Sequence, residues 1–185
     1  MTGRTGTTLA TTVVLVMLAC MVAWVAHLVG PGGERTEGER RGTPGPSALT
    51  DAQVENARTI IAIGKGEGMS DEAIVIALMT AGQESSFRNL DHGDRDSLGL
   101  FQQRPSKGWG TTAQVRDPVW ATTSFLGTNP DGENPGLIQI DGWERMRPTE
   151  AAQAVQRSAY PEAYAKWEPL AKELLDAHRD VDPIG

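Results

Sequence analysis

One glutamate of this chain lies where a stable helix would favour an apolar or cationic residue. In the segment DEAIVIALMTAGQE, residues 71–84, the apolar residues recur at helical spacing, and Glu84 continues their face beyond Ala81. An apolar face and the negative end of the helix dipole both disfavour an ionised carboxyl and predict a raised pKa, as a general acid requires. By position alone, a solvated glutamate in a frayed last turn is the more common case.

The residues after Glu84 add a more specific signal. ESSF at 84–87 is followed by an acidic loop, NLDHGDRD, and then by SLGLFQQ at 97–103. This pattern resembles the lysozyme-like superfamily of soluble lytic transglycosylases and goose-type lysozymes, whose members typically carry ES-x-F, then a serine and a GLMQ-like element. The offset of 18 residues from Glu84 to Gln102 also fits, and Phe101 stands where methionine is usual.

The resemblance implies that Glu84 is the catalytic acid and that the later segment lines a glycan groove. The substrate-binding residues that it implies there and beside the acid are Ser85, Ser97, Gly99, Leu100, Phe101, Gln102 and Gln103. Gly99 would let the backbone approach a sugar closely, and Gln102 offers donors and an acceptor to an N-acetyl group. Ser85 or Ser97 is expected to hydrogen-bond the acid or the substrate. The alternatives are a plain turn at Gly99 and a solvated loop for the glutamines.

Two aromatic residues complete the predicted site. Many members of the superfamily have a tyrosine in an AYN-like motif whose hydroxyl points at the catalytic glutamate. The chain has two tyrosines, both in QRSAYPEAYAKW, and we expect Tyr160 in this role, with Tyr164 as the alternative. Trp109 in KGWGTT is a candidate platform for a sugar ring, and a tryptophan that packs its loop onto the core explains the same pattern equally well.

The number of carboxylates bears on the reaction type. Glycoside hydrolysis normally needs a second carboxylate across the scissile bond, whereas the resemblance implies a lytic transglycosylase with one. We therefore expect cleavage of the β-1,4 MurNAc-GlcNAc bond of peptidoglycan with 1,6-anhydro-muramyl products. The alternatives are goose-type hydrolysis, with Asp91, Asp94 or Asp96 orienting water, and a catalytically silent cell-wall-binding module. A membrane-tethered helical scaffold would leave the SLGLFQQ segment unexplained.

Composition argues against several other classes of function. A formal net charge of −7 and a pI near 5.0 argue against a nucleic-acid partner, since no concentrated Lys/Arg surface is evident. The single cysteine, Cys20, lies in an apolar N-terminal run, so the remainder has no thiol for a disulfide or a zinc-thiolate site. The three histidines are scattered, and the aspartates of residues 91–96 lack Ca²⁺-loop spacing. We expect neither a metal nor a cofactor.

The N-terminal third suggests a membrane anchor. After a tail at 1–8, residues 9–29 contain no acid, Lys or Arg and are long enough to span a bilayer. Residues 30–49 are rich in Gly and Pro, which is typical of a flexible linker, and the glycan-cleaving domain is predicted at 50–185. We expect a single-pass protein of the cell membrane with an extracytoplasmic catalytic domain, or a secreted one after signal cleavage. The arginines after the span predict the opposite orientation by the positive-inside rule.

Helix-start signals divide the domain. Thr50 with Gln53, Ser70, Asp117 before Pro118, and Thr149 are each expected to cap a helix, and Pro161 to open a last helical stretch that Pro169 kinks or restarts. No segment alternates long enough to predict a strand. The sequence therefore predicts a mainly α fold, and the resemblance makes it a lysozyme-like transglycosylase domain.

Overall fold

The chain folds as a set of short helices around one buried helix. The structure, a computed structural model, describes residues 48–158 and 160–184, with the side chain of Pro161 excepted. The predicted tail 1–8, the span 9–29 and residues 30–47 of the linker lie outside the described residues. In the part that is described, no helix is both long and apolar enough to cross a membrane.

Within these residues the fold is mainly α, as predicted. The α-helices are α1 (Asp51–Gly66), α2 (Asp71–Ser85), α3 (Thr112–Val115), α4 (Pro118–Leu126), α5 (Pro148–Gln156) and α6 (Glu168–Ala177). Short 3₁₀ turns occur at Pro105–Lys107, Leu137–Gln139, Trp143–Arg145, Pro161–Ala163 and Ala165–Trp167. Extended pairing in the described ranges is limited to the isolated bridges Leu90 to Gly99 and Leu98 to Gln103.

Helix α2 forms the centre of the core. Every residue from Ala73 to Gly82 is buried, because α1, α4, α5 and α6 all pack against this helix. A helix that is apolar on all sides is stable only when it is surrounded in this way. Its charged residues are confined to its two ends, and Glu84 lies at one of them.

Most of the predicted helix starts are confirmed. The Thr50 capping box opens α1, Ser70 caps α2, and Asp117 caps α4. The prediction that Thr149 caps the fourth helix was wrong. Helix α5 begins at Pro148 with Arg147 at the N-cap, where the Arg147 N–H donates to Glu150 Oε2 at 3.1 Å. Proline suits the first helical position because its fixed φ is helical and no hydrogen bond is lost there.

The last helical stretch is broken, as its prolines predicted. After Pro161 the chain makes two 3₁₀ turns and becomes α-helical only at Glu168, with Pro169 in the first turn of α6. Proline is tolerated in a first turn because its missing N–H would have no partner there. These tight turns decide which tyrosine faces α2.

Candidate active site

The Glu84 carboxyl lies at the C-terminal end of α2 and accepts a hydrogen bond from a tyrosine. The distance from Tyr164 Oη to Glu84 Oε1 is 2.8 Å. Glu84 is partly exposed, whereas Tyr164 is fully buried. Burial raises the pKa of Glu84, and the hydrogen bond from Tyr164 acts in the opposite direction. The result is a carboxyl group that keeps its proton to a higher pH than an ordinary glutamate and still reaches solvent.

Tyr164 is held as a hydrogen-bond donor. Burial, and then the negative charge of Glu84, raise the pKa of the Tyr164 phenol far above its usual range. The phenol therefore stays protonated at any physiological pH and presents its O–H to the carboxyl. A buried donor with a fixed ring orients the acid without competing for its proton.

The prediction that Tyr160 contacts the acid was wrong. The Tyr160 side chain is 61% exposed, and its backbone N–H donates to Ser158 Oγ. The two 3₁₀ turns after Pro161 carry the chain back to α2 only at Tyr164, which lies between them. The sequence did contain a signal against Tyr160, because this tyrosine is followed by proline where the superfamily pattern has asparagine.

The end of α2 is fixed by an aromatic residue that the sequence analysis did not assign to the site. Trp167 lies flat against Gly82, where an added Cβ would be 2.6 Å from the indole, and its Nε1–H donates to Gln83 Oε1 at 3.0 Å. Phe87 is buried edge-on to the same indole, with 5.9 Å between ring centroids. Gly82 is thus needed for close packing next to Glu84, which leaves little room for the acid to shift.

The chain turns sharply just after the acid. Ser86 and Phe87 both have left-handed backbones, with φ of 52° and 59°. Residues other than glycine rarely adopt this conformation, and where they do the strain is often found at functional sites. The turn buries Phe87 and brings the following loop back across the end of α2.

Ser85 was expected to hydrogen-bond the acid or the substrate, and its hydroxyl makes no hydrogen bond to Glu84. Its buried hydroxyl lies 2.8 Å from the Leu100 carbonyl and 3.1 Å from the Ala81 carbonyl, and it accepts the Arg88 N–H. Ser97, the other candidate, is also buried. The observed role of Ser85 is therefore to fasten the loop of residues 97–103 to the last turn of α2.

Glycine is required at position 99 for a reason that differs from the predicted one. Its φ is +78°, and an added Cβ would be 2.1 Å from the Val115 carbonyl oxygen. The close approach is thus to protein backbone. Leu100 and Phe101 are also buried, and Phe101 stacks on Phe125 at 4.9 Å. The side chains of both residues fill the core beneath the loop, so the predicted contact of Leu100 and Phe101 with substrate is left to their backbone.

The two glutamines of this loop have different surroundings. Gln103 is buried and donates from Nε2 to the Ala121 carbonyl at 3.0 Å, so it ties the loop to α4 and does not reach the surface. Gln102 is partly exposed, has a left-handed φ of 47°, and lies with Nε2 3.2 Å from the Gly99 carbonyl. Of the predicted glutamine contacts with substrate, the structure leaves Gln102 in a position to make one.

Gln102 and Trp109 line an open cavity of about 370 Å³. Its walls are the loop of residues 102–109, the loop at Asn134, and the end of α5 from Val155 to Arg157. Neither Glu84 nor Tyr164 is among the residues that line this cavity. Trp109 is partly exposed and accepts the Trp120 indole N–H through its carbonyl. Trp109 thus both packs its loop and presents a surface to the cavity.

Each aspartate of the 91–96 loop has a neighbouring partner other than Glu84. Asp96 accepts from Arg104 Nε at 2.8 Å and from the Ser106 N–H at 2.7 Å, which holds the pKa of its carboxyl well below the usual range. Asp91 pairs with His92 at 2.8 Å, and Asp94 lies 3.9 Å from Arg95. Tyr164 is the one side chain hydrogen-bonded to Glu84 in the described ranges. Those ranges also contain no group of three or more side chains placed to hold a metal ion.

Comparison of the chain with models of known protein families, and with curated proteins, gave no match. Support for a function therefore comes from two sources. One is the sequence pattern around Glu84, and the other is the geometry of Glu84 and Tyr164.

Proposed function

We propose that this protein cleaves the β-1,4 MurNAc-GlcNAc bond of peptidoglycan by lytic transglycosylation, with a lysozyme-like domain and Glu84 as its catalytic acid. The observation that carries the proposal is the Glu84 carboxyl itself. It is partly buried, its pKa is raised, and a buried tyrosine donates to it at 2.8 Å. A structural glutamate at the negative end of a helix would gain from a cation, and Glu84 has a neutral donor in its place.

The proposed reaction uses this carboxyl twice. Glu84 gives its proton to the glycosidic oxygen as the bond from C1 of MurNAc to that oxygen breaks, which releases the GlcNAc hydroxyl. The N-acetyl oxygen of MurNAc stabilises the electron-poor C1. The Glu84 carboxylate then takes the proton of the C6 hydroxyl, whose oxygen bonds to C1 and closes the 1,6-anhydro ring. The acid is restored and no water is consumed.

The aspartates nearest to Glu84 in the sequence favour a mechanism with one catalytic carboxylate over a mechanism with two. A hydrolase of this kind needs a second carboxylate near the scissile bond to act on water or on C1. Asp96 is committed to Arg104 and Ser106, and Asp91 to His92. A silent wall-binding module, in turn, would have no use for a glutamate whose pKa is raised.

The products of the reaction provide the test. We expect the purified full-length chain to solubilise peptidoglycan and mass spectrometry to find 1,6-anhydro-muramyl ends on the fragments. Reducing ends would show hydrolysis and overturn the transglycosylase proposal. A folded protein that leaves the glycan intact would overturn the enzymatic one.

A variant of Tyr164 tests how the acid is positioned. Tyr164→Phe removes the donor and keeps the ring, so we expect kcat to fall by about tenfold or more. In the wild type this hydrogen bond lowers the pKa of Glu84, so its removal should raise that pKa. The basic limb of the kcat/KM profile should therefore move to higher pH. Tyr160→Phe is the matched control and should leave both the rate and the profile unchanged, since that side chain is exposed. An unshifted profile in Tyr164→Phe would contradict this role.

The substrate also sets the place of action. Peptidoglycan lies outside the cytoplasmic membrane, so we propose that residues 50–185 act on its glycan strands from the extracytoplasmic side, either tethered through residues 9–29 or released after signal cleavage. Protease treatment of intact cells should digest a tagged C-terminus if this is correct. A tag that stays protected until the cells are lysed would contradict it.

A further inference from the structure

The cavity lined by Gln102 and Trp109 has an unusual charge. Its wall includes Arg104, Lys107 and Arg157 and contains no carboxylate, although the whole chain carries a formal net charge of −7. Three cations on one concave wall concentrate positive potential there, since the low-dielectric surroundings of a cleft focus the field. A neutral glycan would not require this arrangement.

Two of the three cations are not committed to other groups. Arg104 is paired with Asp96 at 2.8 Å. Lys107 and Arg157 are exposed, and neither forms an ion pair with a described residue. Glu133 lies against Gly108, the residue after Lys107, and lines a different cavity. Lys107 and Arg157 thus line the cavity without an ion-pair partner among the described residues.

Hydrogen bonds fix the backbone of both cationic residues. Arg157 ends α5 with a left-handed φ of 51°, a position where glycine is usual, and its N–H donates to the Gln153 carbonyl. The Lys107 carbonyl accepts from Asn134 Nδ2 at 2.8 Å. Gln156 Nε2 donates to the Phe101 carbonyl at 2.9 Å and joins the two walls. A preorganised wall loses less entropy on binding than a mobile one.

We propose that this cavity is a subsite for a carboxylate carried by the glycan, with Lys107 and Arg157 as its ligands and Trp109 beside the sugar ring. The inference rests on the proposed function, because it takes the glycan of that function as the ligand. Two sources share the chemistry. One is the lactyl carboxylate of a muramyl residue without peptide, and the other is a carboxylate of an attached peptide.

Binding measurements separate this subsite from catalysis. The Glu84→Gln full-length chain, which will not turn over its ligand, is titrated with three oligosaccharides of equal length by calorimetry. They are an N-acetylglucosamine oligomer, a peptide-free muramyl oligomer and a peptide-substituted one. We expect the carboxylate-bearing ligand to bind about tenfold more tightly than the neutral one, as charge-assisted hydrogen bonds predict, and the preference to weaken with added salt.

Charge variants then assign the preference to residues. Lys107→Ala with Arg157→Ala should remove the preference and leave binding of the neutral oligomer unchanged. Lys172→Ala with Arg179→Ala removes two exposed cations from α6 and the residues after it, outside this cavity, and should keep the preference. Circular dichroism checks that both double variants are folded.

Each outcome has a distinct meaning. Preference for the peptide-free muramyl oligomer identifies the lactyl carboxylate, and preference confined to the peptide-substituted one identifies the peptide. Equal affinity for all three ligands, no binding of any of them, or equal loss of preference in both double variants overturns the subsite. If the preference is found but the wild-type chain cleaves no wall glycan, the proposed function fails and the anionic subsite stands.

Discussion

Glu84→Gln should abolish glycan cleavage, with kcat reduced by about a thousandfold or more, as expected when a general acid is removed from a site with one carboxylate. Glutamine has nearly the same shape and keeps an oxygen that accepts from Tyr164, so the loss would report the missing proton. Turbidity loss of a peptidoglycan suspension measures it. Glu72→Gln is the matched control, because Glu72 is an exposed glutamate at the other end of the same helix, and its activity should equal that of the wild type.

The same variant should be more stable than the wild type at neutral pH. The pKa of Glu84 is raised above its ordinary value of 4.5 in the folded state, mainly by burial. The folded chain then binds this proton more tightly than the unfolded chain, so wild-type stability falls as pH rises from the unfolded pKa through the folded one. Glutamine has no charge to desolvate. We expect a higher Tm for Glu84→Gln at pH 7.5 and a smaller difference at pH 4.

Two results would contradict this assignment. Retained cleavage in Glu84→Gln would show that another group supplies the proton. A Tm at pH 7.5 equal to or below that of the wild type would show that Glu84 is not desolvated in the folded state, and the physical basis for a raised pKa would be lost.

Gly99→Ala should cost about 3 kcal/mol of the free energy of unfolding, from backbone strain and overpacking together. The φ of +78° disfavours any L side chain, and the new Cβ would be 2.1 Å from the Val115 carbonyl oxygen. Backbone atoms at that distance must move, and they belong to the end of α3. Chemical denaturation followed by circular dichroism measures the change.

Gly68→Ala separates the two contributions. Gly68 also has a left-handed φ, of +67°, but an added Cβ there would meet no atom within 4 Å. Its substitution should therefore cost about 1 kcal/mol, from backbone strain alone. If both variants lost the same stability while Gly99→Ala alone weakened glycan binding, Gly99 would approach the sugar, as the sequence first suggested.

Local signals determined much of the helical framework. Thr50, Ser70 and Asp117 cap their helices at the predicted residues, because a cap depends on groups within three or four positions along the chain. The helical spacing of the apolar residues, which is also a local signal, correctly predicted Glu84 in the last turn of α2. The cap predicted at Thr149 was wrong because the helix starts at Pro148, which moves the N-cap two residues earlier, to Arg147.

Tertiary packing decided what surrounds the acid. Tyr164 reaches Glu84 and Tyr160 does not, because two irregular turns lie between α5 and α6, and the direction of a side chain after such turns depends on what it packs against. The Ser85 hydroxyl has its partner 15 residues away at Leu100. Sequence by itself thus determined the helices and the candidate acid, through interactions within one turn. The partners of that acid, and the cationic wall formed by loops far apart in the chain, were decided only when the helices packed.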